Sequence, residues 1–383
     1  MNDRRYDIDW IRVIAIWLLL FYHVAIGFRP WGTLIGFIQH GTSLDALEIP
    51  MSLLSVWRIP LLFFVSGMGV CFAMRKRSWQ ELWKERAQRI LLPFVFGTLA
   101  IVPLHIWLWR DYYHQDALYQ AHPAHLWFLG NILIYVLLLT PLFGYLKRQQ
   151  DKALGRAIRQ VMGHPLGLIL LILPFVLEAV LVNPDAFVLY AQTAHGFWLG
   201  LLAFLGGYLM VYAGRSFWEL TERWKWALLG AAAAFFLLRW FYFDLMAPNA
   251  LLAIESNLWV FAVLGLGYRY LNRPHPALRY LSQAAYPVYI LHMFFLYLAS
   301  FVLFTTQISA WWAFALVMIL TFVGCYATFE IIRRINWLRP LFGLKLMSKE
   351  EKIHRAPKIQ YSVNEGSHYS HRHPEPSEGS EKT

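Results

Sequence analysis

The 383-residue sequence is poor in charge, with 15% of its residues Asp, Glu, Lys or Arg, where an ordinary soluble domain has roughly a quarter. Since 58% of it is hydrophobic, a soluble globule of this length could not hide its apolar surface. The two cysteines, Cys71 and Cys325, both sit in apolar runs, which excludes a disulfide framework and a four-cysteine zinc site. No Walker phosphate loop, Rossmann glycine pattern or repeat of solenoid period occurs. The net charge of +11 would suit nucleic acid only if the cations shared one face.

What is plentiful is apolar sequence in stretches of about 20 residues, the length that crosses hydrocarbon as a helix. About ten such stretches lie near 11–30, 55–74, 90–109, 126–146, 165–183, 196–213, 225–243, 251–270, 281–304 and 309–332. The expected fold is therefore all-α, a polytopic membrane helix bundle. Threading these spans with Arg4 and Arg5 inside leaves every Lys and Arg on the cytoplasmic side except Arg29, Arg58, Arg110 and Arg239. That bias predicts a multi-pass protein of the cell (inner) membrane with both termini cytoplasmic, and it accounts for the positive charge with no nucleic-acid partner. The first apolar run is too long for a signal peptide and has no small-residue cleavage site, so it is read as a retained span. Residues 1–347 form the expected membrane domain. Residues 348–383, rich in Lys, Glu, Ser, His and Pro, are expected to be a disordered cytoplasmic tail. The tail histidines from His368 suit adventitious metal at most, and no metal site is expected elsewhere.

An ionisable side chain inside a span costs at least about 3 kcal/mol at the bilayer centre, so each one needs a partner or a task. The first span holds Arg12 and His23, eleven residues apart. At 100° per residue they share one face, separated by about 16 Å along the axis. Arg12 then sits at the cytoplasmic edge, where Asp9 can pair with it, and His23 lies beyond mid-membrane. His23 is either a neutral imidazole satisfied by a neighbouring helix or a general base, a role worth roughly 10² to 10⁴ in rate. Ser66 and Gly67 either permit close helix approach or, in the case of Ser66, hydrogen-bond a substrate. Arg58 at the outer entrance and Glu255 in the eighth span either complete ion pairs or line a cavity for a polar acceptor. Glu178, Arg239, Asp244 and His292 read as satisfied interior or interfacial groups, and Glu330 as a local partner of Arg333 and Arg334. The loop from Arg75 to Arg89 is basic because of topology and anionic lipid, or because Arg86 and Arg89, three apart, converge on a phosphate.

Taken in order, Asp9-Trp-Ile-Arg12 with His23, Phe64-Val-Ser66-Gly67, Arg86-Ala-Gln-Arg89-Ile-Leu-Leu-Pro93 and His125-Leu-Trp127-Phe-Leu resemble the integral-membrane acyltransferase-3 family. The resemblance extends through nearly all spans. Ile254-Glu255-Ser256, Tyr289-Ile-Leu-His292 and Phe329-Glu330-Ile-Ile-Arg333 look most like the branch that succinylates periplasmic glucans. Met68 stands where an aromatic commonly follows Ser-Gly, and the proline often found shortly after the ninth-span histidine is missing, departures that bear on specificity more than on reaction class.

The resemblance implies His23 as the catalytic histidine, and Arg12, Arg86 and Arg89 as the residues that handle an acyl-CoA donor from the cytoplasm. It makes His125 and Trp127 a patch at the outer start of the fourth span. The expected reaction moves an acetyl or succinyl group from acyl-CoA, a substrate rather than a bound cofactor, to a hydroxyl of an extracytoplasmic glycan or lipid-linked sugar. The acceptor would enter past Arg58 and Glu255, and Ser66 is a candidate for the oxyanion. A dicarboxylic donor would need a further cation, Arg58 or Arg239. The alternatives are a secondary transporter of a small polar or anionic solute and a silent lipid-binding scaffold. Against transport, Pro60, Pro93, Pro141, Pro174 and Pro287 are placed mostly near helix ends, with no matched broken helices in two halves.

Overall fold

The computed structural model describes residues 4–116 and 118–347. The tail expected over 348–383, with its histidine run, lies outside the described residues. Among the described residues there is no strand, and ten helices are long and apolar enough to cross a membrane. They are α1 (Tyr6–Ile26), α2 (Asp45–Lys76), α3 (Trp79–Tyr112), α4 (Ala124–Arg148), α5 (Pro165–Val182), α6 (Ala194–Tyr212), α7 (Arg215–Phe243), α8 (Asn249–Tyr270), α9 (Pro276–Leu303) and α10 (Ala310–Arg334). Every expected span has its helix, and several helices run past the apolar stretch that announces them. α3 begins eleven residues before Ile90 because Ser78 and Glu81 form a reciprocal cap on its first turn.

α1 runs through the middle of the bundle, packed against α2, α8, α9 and α10. The apolar windows of α2, α6, α8 and α9 are 61–78% buried, whereas those of α3, α5, α7 and α10 are at most 28% buried. The second group forms the outer wall, whose apolar side chains suit lipid. α2 and α6 approach so closely that a Cβ on Gly67 would lie 1.9 Å from the Phe204 carbonyl oxygen, and one on Gly207 would lie 1.9 Å from that of Phe64. The small-residue role of Gly67 is thus helix contact.

Pro141, Pro174 and Pro287 lie inside α4, α5 and α9, which corrects their expected placement near helix ends. A proline leaves the carbonyl four residues earlier without its usual donor. In α3, Pro93 and Pro103 follow two π-turns, Ala87–Leu91 and Gly97–Ile101. The carbonyl of Leu99, four residues before Pro103, instead accepts the Tyr119 hydroxyl at 2.9 Å. None of these prolines breaks its helix into separate halves.

Tyr6 and Gly343 lie toward the same end of the bundle. The Tyr6 amide donates to the Asn272 side chain there, and Arg89 reaches the Gly343 carbonyl at 3.4 Å. At the opposite end Phe28 packs on Phe304, and the Tyr297 hydroxyl donates to the Gly36 carbonyl at 2.6 Å.

Candidate active site

Because α1 is one unbroken helix, it carries Arg12 and His23 on the same face, about 16 Å apart by its rise. Each belongs to a separate cluster, and the two clusters differ in charge and chemistry.

The cluster around Arg12 lies toward the end that holds Tyr6 and Gly343. α3 brings Arg86 and Arg89 close enough that their charges and that of Arg12 act on one another. Arg12 pairs loosely with Asp9 at 3.6 Å, and Asp9 is bound more tightly by Arg4 at 2.9 Å. Arg89 pairs with Glu85 at 3.1 Å, and Arg77 takes the other oxygen of that carboxylate. Arg86 has a buried Nε with no hydrogen-bond partner, and the nearby Tyr286 hydroxyl is also buried and unpartnered. These are donors in search of acceptors, and guanidiniums in this number favour a phosphate or another polyanion.

The other cluster is built from histidines. His23 Nδ1 lies 2.9 Å from His292 Nε2 of α9, and His292 Nδ1 lies 2.7 Å from the Tyr289 carbonyl. The His125 ring meets His292 edge to face with centroids 5.0 Å apart. His105 of α3 stands 5.7 Å from His125 and 5.0 Å from the Tyr297 ring. His292 is wholly enclosed and His105 nearly so, while His23 and His125 keep partial exposure. His125 Nε2 faces the Ile290 carbonyl at 3.2 Å, which requires a proton on that nitrogen and leaves Nδ1 as an acceptor. That Nδ1, like the Nδ1 of His105, is buried without a partner.

Two further features bear on this cluster. Ala124, the residue before His125, holds φ at +40°, a left-handed conformation disfavoured for a side chain with Cβ. Arg58 is only 4% exposed and lies over the Tyr22 ring, 3.8 Å from its centroid. Its charge reaches both His23 and His292. Its Nε and one Nη are buried without partners, and no carboxylate pairs with it among the described residues. A buried guanidinium with free N–H groups is poised to receive negative charge.

The remaining expected residues lie elsewhere. The Ser66 hydroxyl donates back to the Leu62 carbonyl at 2.8 Å. Glu255 is held by Arg239 in a buried bidentate pair, and Arg239 also donates to the Ser52 carbonyl. Arg239 therefore has its charge answered, which leaves Arg58 as the free cation of the two named for a dicarboxylic donor. Trp127 packs on Phe63 with centroids 5.9 Å apart. Glu178 pairs with His195, and Glu330 pairs with Arg333 and Arg334. His292 is a satisfied interior group as expected, but its partner is His23. Neither His105 nor the meeting of His292 with His23 is announced by spacing along the chain. The signal available in the sequence is partial: His23 and His105 fall in the later half of their apolar stretches and His125 at the start of the next, whereas His292 sits at the middle of its own.

Comparison with known protein families gives one match. The family model Acyl_transf_3, described as an acyltransferase domain, covers residues 5–330. No curated protein and no solved structure matches the chain.

Proposed function

We propose a reaction for this chain from the premise that it belongs to the Acyl_transf_3 family, whose domain spans residues 5–330, and is a membrane acyltransferase. The donor is acyl-CoA, the acyl group is of the acetyl or succinyl class, and the acceptor is a hydroxyl of an extracytoplasmic glycan or lipid-linked sugar. The observation that carries this reading is the single helix α1, which joins a guanidinium cluster at Arg12 to an imidazole cluster at His23. The separation of about 16 Å is comparable to the reach of a pantetheine arm.

In this reading the end that holds Tyr6, Arg12 and Gly343 faces the cytoplasm of the cell (inner) membrane. Arg12, Arg86 and Arg89 hold the phosphates of the donor there, with the Tyr286 hydroxyl beside them. The thioester lies among the histidines. His23 takes the proton of the acceptor hydroxyl as its oxygen bonds to the thioester carbon. The tetrahedral intermediate carries negative charge on the former carbonyl oxygen. Arg58, with unpartnered N–H groups beside the imidazoles, stabilises it. Collapse breaks the C–S bond, and the CoA thiolate takes the proton from the His23 imidazolium. The products are an ester and free CoA. His125, through its unpartnered Nδ1, orients a hydroxyl of the acceptor.

The test is mass spectrometry of extracytoplasmic glycans and lipids from a strain lacking the protein, complemented with wild type or His23→Ala at equal membrane abundance. An ester that vanishes with deletion and returns only with wild type supports the reading, and its mass names the acyl group as acetyl or succinyl. Unchanged esters, or full restoration by His23→Ala, would return attention to secondary transport.

A further inference from the structure

The contact between His23 and His292 contains more than proximity. His292 Nδ1 stands 2.7 Å from the Tyr289 carbonyl oxygen. A carbonyl only accepts, so the proton of that hydrogen bond is on Nδ1. The ring is fully enclosed, and no carboxylate is ion-paired with it among the described residues, so a second proton there would be a buried charge with no counter-ion. In the neutral ring a proton on Nδ1 makes Nε2 a lone pair. That lone pair faces His23 Nδ1 at 2.9 Å, so His23 Nδ1 must be the donor. His23 Nε2 is then unprotonated.

The ring geometry fits this assignment. The two imidazole planes differ by 9° and their centroids are 5.1 Å apart. That separation is what two imidazoles give when joined head-on through a 2.9 Å N···N contact, so the rings meet edge to edge in one plane. The lone pair of an sp² nitrogen lies in the ring plane, and this alignment aims it along the N–H of the partner.

We propose that His292 is a positioning residue: it passes the acceptor character of the Tyr289 carbonyl to His23 and locks His23 in the Nδ1–H form, with Nε2 bare and ready to take a proton. The free histidine side chain in water prefers the opposite form, with the proton on Nε2, which cannot act as a base at that nitrogen. The relay therefore holds His23 in its less favoured tautomer. It serves the same end as a buried carboxylate behind a catalytic histidine, with a backbone carbonyl and a second imidazole in the carboxylate's place. Loss of the correct tautomer costs about 10⁴ in rate where such a carboxylate is replaced by its amide. The catalytic significance rests on the reading of His23 as the base, but the tautomer itself does not.

The test uses the full chain in lipid nanodiscs, labelled with ¹⁵N at histidine, with the His23 signals assigned by their loss in His23→Ala. In wild type, His23 should show a protonated Nδ1 and a bare Nε2. His292→Gln, whose amide oxygen can take the place of Nε2, should keep that form. His292→Leu should shift His23 toward the Nε2–H form and lower ester formation by about 10²-fold or more. A bare Nδ1 on His23 in wild type would overturn the proposal, as would an unchanged tautomer in a folded His292→Leu. The wild-type spectrum decides even if the leucine variant does not fold. A locked tautomer in a protein whose ester survives His23→Ala would uphold the relay and overturn the general-base reading instead.

Discussion

Arg239 of α7 grips Glu255 of α8 through two parallel hydrogen bonds, Nε to Oε2 at 2.8 Å and Nη2 to Oε1 at 2.9 Å, with both side chains at most 4% exposed. Removing one partner strands a buried charge, which costs about 3 to 5 kcal/mol. Glu255→Ala should therefore lower thermal stability and membrane abundance sharply. The double variant Arg239→Leu, Glu255→Leu should recover part of that loss, because no unpaired charge remains. Thermal unfolding in detergent checks both, and an unfolding temperature unchanged in Glu255→Ala would contradict the pairing.

His23→Gln should leave folding intact and reduce ester formation by about 10² to 10⁴-fold, the usual worth of a general base. Quantitative mass spectrometry of the ester, normalised to protein in the membrane, measures it. Activity within a few-fold of wild type would remove His23 from the chemistry.

Arg58→Gln removes a buried cation that has no carboxylate partner. Its effect should fall on turnover rather than on donor affinity, by about 10² to 10³-fold, as for the loss of an oxyanion donor. Steady-state rates at saturating acyl-CoA separate the two. A change confined to KM would assign Arg58 to binding.

Arg86→Gln and Arg89→Gln should do the reverse. A hydrogen bond to a charged group contributes about 1.5 to 3 kcal/mol, so each substitution should weaken CoA binding by roughly 10- to 100-fold while turnover at saturation changes little. Titration calorimetry with CoA itself, which needs no acceptor, reads this directly. Undiminished CoA affinity in both variants would place the phosphates elsewhere.

Gly67→Ala sets a methyl against the Phe204 carbonyl, where 1.9 Å is available. Backbone cannot yield as a side chain does, so α2 and α6 must separate, at about 1 to 3 kcal/mol or more. Gly207→Ala should act the same way through Phe64. Reduced thermal stability in both variants is the expected result, and two silent substitutions would mean that the helices do not meet as described.

The ten crossings are legible in the sequence because hydrocarbon thickness demands a minimum apolar length, and that demand is local. Helix ends are less so, since hydropathy marks the crossing and capping marks the helix. Ser78 and Glu81 start α3 well before its apolar run. Arg12 and His23 share a helix, so the arithmetic of 100° per residue was enough to set them on one face. The meeting of His23 with His292 depends on how α9 lies along α1, which no spacing within either segment records. Glu255 and Ser66 were likewise open, because whether a polar group in a span is spent or free depends on a neighbour: Arg239 answers Glu255, and the helix's own backbone answers Ser66.

Ala124 enters α4 with φ at +40°, a conformation that glycine adopts freely and alanine does so at a cost on the order of 1 to 3 kcal/mol. A chain selected for stability alone would have glycine there. Glycine would also widen the range of directions in which the next residue, His125, could leave the backbone. Alanine in this conformation has few neighbouring states to relax into, so the disfavoured torsion narrows the wandering of His125, and a small local instability becomes angular precision at an imidazole.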